Sequence, residues 1–332
     1  MCYGRRMRAL VFVLLAAGAP LACASLKSAE PGDGDGRADA GHEYDASPSA
    51  DASPTPADGA ADGATKTGDP RWPLWKAPAD APANTDYAIA NGSDGAIVND
   101  KITGLAWQDA VPSTTRDFDG ATAYCDALVY DGFKDWRLPT RIEAVSIMSF
   151  KPVFDDTAMA GPAFSAVAGA QCFWTASTFV KYPASAWKIT PASVDFADRT
   201  SKCAARCVRG GPTLGAPIAK QYDLIDADML RDPVTHLVWE RTPPAAQSMW
   251  DVANARCQAL ALGGRPWRLP SVKELASIVD ETKSGPASNG SFGDSAARTF
   301  TANPQWTVNF DQGIAVQGPT GFAESSRCVS PQ

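Results

Sequence analysis

The chain states one long motif series twice, and the second statement begins 132 positions after the first. Ile102-Thr103-Gly104-Leu105-Ala106-Trp107 returns as Val234-Thr235-His236-Leu237-Val238-Trp239, and Asp119, Ala123 and Cys125 return as Asp251, Ala255 and Cys257. After a one-residue deletion, Asp135-Trp136-Arg137-Leu138-Pro139-Thr140-Arg141-Ile142-Glu143 reappears as Pro266-Trp267-Arg268-Leu269-Pro270-Ser271-Val272-Lys273-Glu274. Both copies close on Arg-Cys-Val, at Arg206-Cys207-Val208 and Arg327-Cys328-Val329. Solenoid repeats run to roughly 20–50 residues, whereas this period is the size of a whole domain. The chain is therefore read as two tandem copies of one fold, residues 86–211 and 220–330.

Residues 1–24 read as an export signal, with Arg5, Arg6 and Arg8 ahead of the apolar run Ala9 to Ala17 and small residues around Cys23. That run is too short for a permanent transmembrane helix. Leu21-Ala22-Cys23-Ala24 resembles a lipobox, which makes Cys23 the expected lipidation site, although Pro20 stands where the pattern wants Leu. Cleavage after Ala24, releasing a soluble protein, is the alternative. With Cys23 lipidated, Ala24 rather than an inner-membrane retention Asp favours the outer membrane or cell surface. Residues 25–84 are rich in Ala, Asp, Gly, Pro and Ser and cannot bury enough apolar surface to offset chain entropy, so they are expected to form a disordered tether. Asp33-Gly34-Asp35-Gly36 lacks the ligand spacing and closing Glu of an EF-hand, so no metal is assigned.

Six cysteines follow the lipobox, and four occupy matched positions. Six allow fifteen connectivities. The repeat selects Cys125–Cys207 and Cys257–Cys328, one bridge per copy, and leaves Cys172 with Cys203 as a third bridge peculiar to copy one. Their counterparts in copy two fall near Arg298 and Glu324. This cysteine usage fits an oxidising compartment outside the cytoplasm.

Each copy reads as α+β, two helices followed by a mostly antiparallel sheet. The spacing of Phe118, Ala121, Tyr124, Cys125 and Leu128 predicts a helix from Asp117 to about Val129, with its counterpart from about Met249 to Leu262. Thr140 with Glu143, and Ser271 with Glu274, have the spacing of capping boxes and start a second helix in each copy. Short apolar runs at Ile97-Val98, Leu105–Trp107, Phe173–Thr175, Ala186–Ile189, Ala192–Phe196 and Arg206–Val208 predict strands. In copy two the corresponding runs follow at Thr299–Thr301, Gln305–Val308, Gly313–Val316 and Arg327–Val329.

Taken together, Thr-Gly-Leu-Ala-Trp-Gln, the Ala-Tyr-Cys helix, Asp-Trp-Arg-Leu-Pro-Thr with its following Glu, Phe-Trp-Thr-Ala-Ser and Arg-Cys-Val-Arg-Gly-Gly resemble the Lcl C-terminal domain family. That resemblance covers nearly all of 86–211 and 220–330. Copy two departs at His236 for Gly104, Pro266 for Asp135 and Phe300 for Trp174. The resemblance implies a C-type-lectin-like fold and an extracytoplasmic recognition module, since the family's named member is an adhesin for sulfated glycans. The calcium-dependent sugar signatures Glu-Pro-Asn or Gln-Pro-Asp followed by Trp-Asn-Asp are absent from the chain.

Chemistry is sparse. His236 is the one histidine beyond the tether, which leaves no His-based triad or multi-histidine zinc site, and its exchange with a glycine marks a surface turn. No Gly-rich phosphate loop or Ser elbow appears. Asp100 and Asp232 recur just before a strand, where turn chemistry explains them more simply than hydrolysis. The paired motifs Trp136-Arg137 and Trp267-Arg268 are read as structural, the indoles packing and the arginines bonding carbonyls or Glu143 and Glu274. Trp107 and Trp239 likewise read as core. Trp187 and Trp306, near sheet edges with polar neighbours, are the residues assigned to stacking on a sugar. A net charge of −7 opposes polyanionic partners, nucleic acid included, unless Lys181, Lys188, Arg199, Lys202, Arg206 and Arg209 form a local patch. The expected function is a non-enzymatic cell-envelope binding or adhesion protein, without cofactor, held by a lipid anchor and recognising carbohydrate. An envelope assembly protein with protein partners is the alternative, and a hydrolase is the third reading.

Overall fold

The computed structural model describes residues 73–150, 159–210, 222–293, 297–318 and 321–332. The signal sequence, Cys23 and most of the tether lie outside them. In copy one the strands are β1 (Tyr87–Asn91), β2 (Ala96–Asp100), β3 (Leu105–Gln108), β4 (Phe173–Thr178), β5 (Ser185–Thr190), β6 (Ser193–Asp198) and β7 (Val208–Gly210), with helices α1 (Phe118–Asp126) and α2 (Arg141–Ile147). Copy two has β8 (Asp223–Leu224), β9 (Met229–Asp232), β10 (Leu237–Glu240), β11 (Arg298–Phe300), β12 (Trp306–Asn309), β13 (Ile314–Gln317) and β14 (Val329–Pro331), with α3 (Trp250–Ala259) and α4 (Val272–Ser277). The α+β class stands. Among the described residues no helix is long and apolar enough to cross a membrane.

Local signals hold up well. The Asp117 carboxylate accepts from Gly120 N and starts α1, which buries Phe118, Ala121 and Cys125 on one face. Thr140 and Glu143 form a complete capping box on α2, and Ser271 and Glu274 do the same on α4. Each cap satisfies amide donors that a helix start leaves without intrahelical partners. Cys125–Cys207, Cys172–Cys203 and Cys257–Cys328 are the observed disulfides.

The sheets do not divide as the copies do. Each copy builds a four-stranded antiparallel sheet of its own, in the orders β1-β2-β3-β7 and β14-β10-β9-β8. The remaining strands form one six-stranded sheet, β11-β12-β13-β6-β5-β4, which runs through both copies. Its seam is antiparallel, pairing Val194 with Ala315 and Ser193 with Val316. Val194 faces Ile189 across β5/β6, as Ala315 faces Val308 across β12/β13, so equivalent residues meet at the seam about a local twofold axis. Over it α2 packs on α4, and one apolar cluster takes Ile142, Val145 and Ile189 from copy one with Leu275, Val308 and Ala315 from copy two.

Two sequence expectations need correction here. The sheet of each copy is not self-contained, because β6 and β13, each outermost among the three strands its copy contributes, pair with one another. The assigned tether also ends too late. In residues 73–84, Trp75 is buried against Tyr87, Trp107 and Ile147, and the Asp80 carboxylate accepts from Val272 N and Lys273 N at 2.8 and 3.0 Å. The local composition is tether-like, but buried Pro73, Trp75 and Pro78 and the hydrogen bonds of Asp80 dock the segment.

Candidate functional site

The repeated Trp-Arg-Leu-Pro segments are structural in both copies. Trp136 is fully buried with Tyr130 edge-on at 5.7 Å, and Arg137 makes a two-pronged pair with Glu143 at 2.6 and 2.7 Å. Trp267 donates to the Leu262 carbonyl at 2.9 Å, and Arg268 grips Glu274 through two bonds of 2.7 Å. Each glutamate also accepts from the N-cap amide, so one carboxylate locks the arginine to the helix start. Asp100 accepts from the amides of Ile102 and Thr103, and Asp232 from those of Val234 and Thr235, which makes both aspartates turn formers. His236 takes φ 56° where Gly104 takes 71°, the left-handed turn its exchange with glycine indicated.

Trp187 and Trp306 cannot stack on a sugar. Both indoles are 0 % exposed in the core shared by the copies, with Phe179 edge-on to Trp187 at 5.4 Å and Phe150 edge-on to Trp306 at 4.8 Å. Both tryptophans lie not at sheet edges but on β5 and β12, each flanked on both sides by strands of its own copy. The proposed basic patch dissolves as well, because each of its cations has an acidic partner. Lys181 faces Asp311 at 3.7 Å, Lys202 Asp117 at 2.7 Å, Arg206 Asp109 at 3.9 Å and Arg209 Asp135 at 2.7 Å, while Lys188 pairs with Asp195 and Arg199 with Asp119. Paired cations give little field for a sulfated polymer.

The copies differ where a ligand could be met. The parallel bridge between Phe173 and Ala204 is matched by that between Thr299 and Ser325, which places Arg298 and Glu324 at the positions of Cys172 and Cys203. Copy one is closed there by a disulfide. Copy two instead has a loose ion pair, Arg298 Nε to Glu324 Oε1 at 3.8 Å, which lines a shallow cleft together with Phe300, Pro304, Thr307 and Phe322. Phe322 is 61 % exposed. Burial pushes the Glu324 carboxyl above its ordinary value and Arg298 opposes the rise. The cleft thus sets an exposed aromatic ring beside a guanidinium and a carboxylate, groups able to offer a stacking face, donors and acceptors together. The sequence marked this place only as the two positions where copy two lacks cysteines.

Compensating exchanges maintain the rest. Gln108 Nε2 donates to Tyr124 Oη at 2.8 Å in copy one, and Glu240 with Arg256 forms a bidentate pair at 2.8 Å in copy two. Phe118 with Trp174 becomes Trp250 with Phe300, moving the indole from strand to helix.

A search of curated proteins finds no match. The family model for the Lcl C-terminal domain matches residues 96–209 and 228–330, one segment on each copy and well over half of the chain. The chain is thus a tandem member of the Lcl C-terminal domain family.

Proposed function

We propose that the protein is a non-catalytic binding protein of the cell envelope, exported, lipid-anchored at Cys23 to the outer membrane, and built on C-type-lectin-like domains that present one ligand surface. Three disulfides support an oxidising compartment. The observation that carries the reading is the divergence between equivalent surfaces, disulfide-closed in copy one and open around Arg298, Glu324 and Phe322 in copy two. A carbohydrate suits that surface, one sugar face lying on the Phe322 ring and hydroxyls reaching the charged pair. The charge of the site is balanced and the cations named above are paired, so a neutral glycan suits it better than a sulfated one.

The test is a glycan array probed with the mature, oxidised chain at low and physiological salt, with and without calcium. Binding that Phe322→Ala removes while the unfolding midpoint stays put supports the reading. An array without signal counts against it.

Protein partnership is favoured by a separate observation. Ile89 on β1 and Leu224 on β8 occupy equivalent positions, opposite Val98 and Leu230, and both are 56 % exposed on outer strands of the four-stranded sheets. Outer strands with exposed aliphatics invite strand pairing with another chain. Capture of an envelope protein that Ile89→Lys with Leu224→Lys abolishes would place this reading first.

A further inference from the structure

Residues 73–80 join the two copies although they belong to neither repeat. Trp75 packs into the copy-one cluster with Tyr87, Trp107 and Ile147. Five residues later, the Asp80 carbonyl accepts from Phe150 N of copy one at 2.9 Å, while its carboxylate takes the first two amides of α4 in copy two. Between these anchors the segment runs over a small cavity walled by Pro73, Trp75 and Pro78 above, and by Ile142, Val145 and Lys273 below. Lys273 is 2 % exposed and donates from Nζ to the Ser146 carbonyl of α2 at 2.7 Å, a second bond across the joint. In sequence the segment follows the Ala/Asp/Pro/Gly-rich stretch directly.

We propose that residues 73–80 are a releasable strap, which clamps α2 to α4 and seals Lys273, so that a load arriving along the preceding chain acts first on the joint between the copies. Its grip is local, the apolar contacts of Pro73 to Pro78 around Trp75 and the hydrogen bonds of Asp80, whereas the strands of the six-stranded sheet and the disulfides pair without it. Segments held by few buried contacts open independently of the global fold. Release uncovers a primary amine at the centre of the molecule and frees the α4 helix start.

The strap is tested on the full mature chain with disulfides intact, comparing wild type with Trp75→Ala and Asp80→Asn. Reductive methylation followed by peptide mapping reads Lys273 against exposed Lys76, and hydrogen exchange reads Val272 and Lys273 against the β5 and β12 amides. In both variants Lys273 should react faster by about tenfold or more and the two α4 amides should lose protection, with β5 and β12 unchanged. Unchanged Lys273 reactivity would overturn the proposal. So would loss of protection throughout both variants, because the segment would then belong to the global fold and not act as a separable strap.

Discussion

Lys273→Met measures what the buried amine at the joint contributes, and the informative quantity is its dependence on pH. Burial is the main cause that pulls this amine from 10.5 down to about 7, against the opposing influence of Asp80, Asp100 and Asp86. Between those two values the unfolded chain holds the proton and the folded chain does not. Stability from this group therefore rises with pH across that window, by up to about 1.4 kcal/mol per unit. Below pH 7 both states are protonated and the full penalty of burying the charge remains. The shift integrates to roughly 3–5 kcal/mol over the window. Methionine has a similar shape and no charge, and it forfeits the bond to the Ser146 carbonyl, worth about 0.5–1.5 kcal/mol for the neutral amine. Urea unfolding of oxidised wild type and variant from about pH 6 to about pH 10 isolates the amine, because the other titrating groups cancel in the difference. The variant should compare best with wild type near pH 6 and lose ground steadily above 7. A difference that stays flat with pH, or slopes the other way, would refute the argument, since the amine would then titrate alike in both states.

Three further predictions follow from the comparison of the copies. Arg256→Ala leaves the buried Glu240 carboxylate without its bidentate partner and should cost about 3–5 kcal/mol in chemical denaturation. Adding Glu240→Gln and restoring the partner as Arg256→Tyr recreates the neutral pair of copy one and should recover most of that loss. Arg298→Cys with Glu324→Cys should form a disulfide like Cys172–Cys203 and raise stability by about 2–4 kcal/mol, read by thiol titration and the unfolding midpoint. Persistent free thiols would deny the equivalence. Trp187→Ala or Trp306→Ala should lower stability by about 3–5 kcal/mol through cavity formation, seen as a lower midpoint in thermal unfolding with or without glycan present.

What the sequence disclosed and what it concealed follow from the range of the interactions. Capping boxes, the Arg137–Glu143 and Arg268–Glu274 pairs and the turn aspartates act over a few residues, so spacing reveals them. The disulfides join distant residues, yet the repeat made them legible by presenting each matched pair twice. The joint is different in kind, because it arises between copies and has no counterpart in either. Trp187 and Trp306 were misread because strand order and facing are not local: β5 and β12 are each the middle strand of three in their own copy, and both indoles face the core that the copies share. Asp80 was invisible as a helix cap because its helix begins 192 residues later. Of the candidate cleft, only the missing cysteines at 298 and 324 left a trace, while the exposure of Phe322 required the fold.

At the joint the two buried cations occupy unlike places. Arg141 corresponds to Val272 and Lys273 to Ile142, and each cation reaches into the opposite helix, Arg141 to the carbonyls of Ala276 and Val279 and Lys273 to that of Ser146. Two separate chains associating in the same geometry would present every substitution twice, so either cation would confront its own duplicate near the axis and desolvation would be incurred on both sides. A single polypeptide escapes that doubling. It can hold Arg141 once, against Glu281, and Lys273 once, under its strap, and its contact has no dissociation constant for dilution to act upon. Symmetry here survives in the backbone while the side chains are free to specialise, so that one half of the molecule carries the Arg298–Glu324 pair where the other keeps its disulfide.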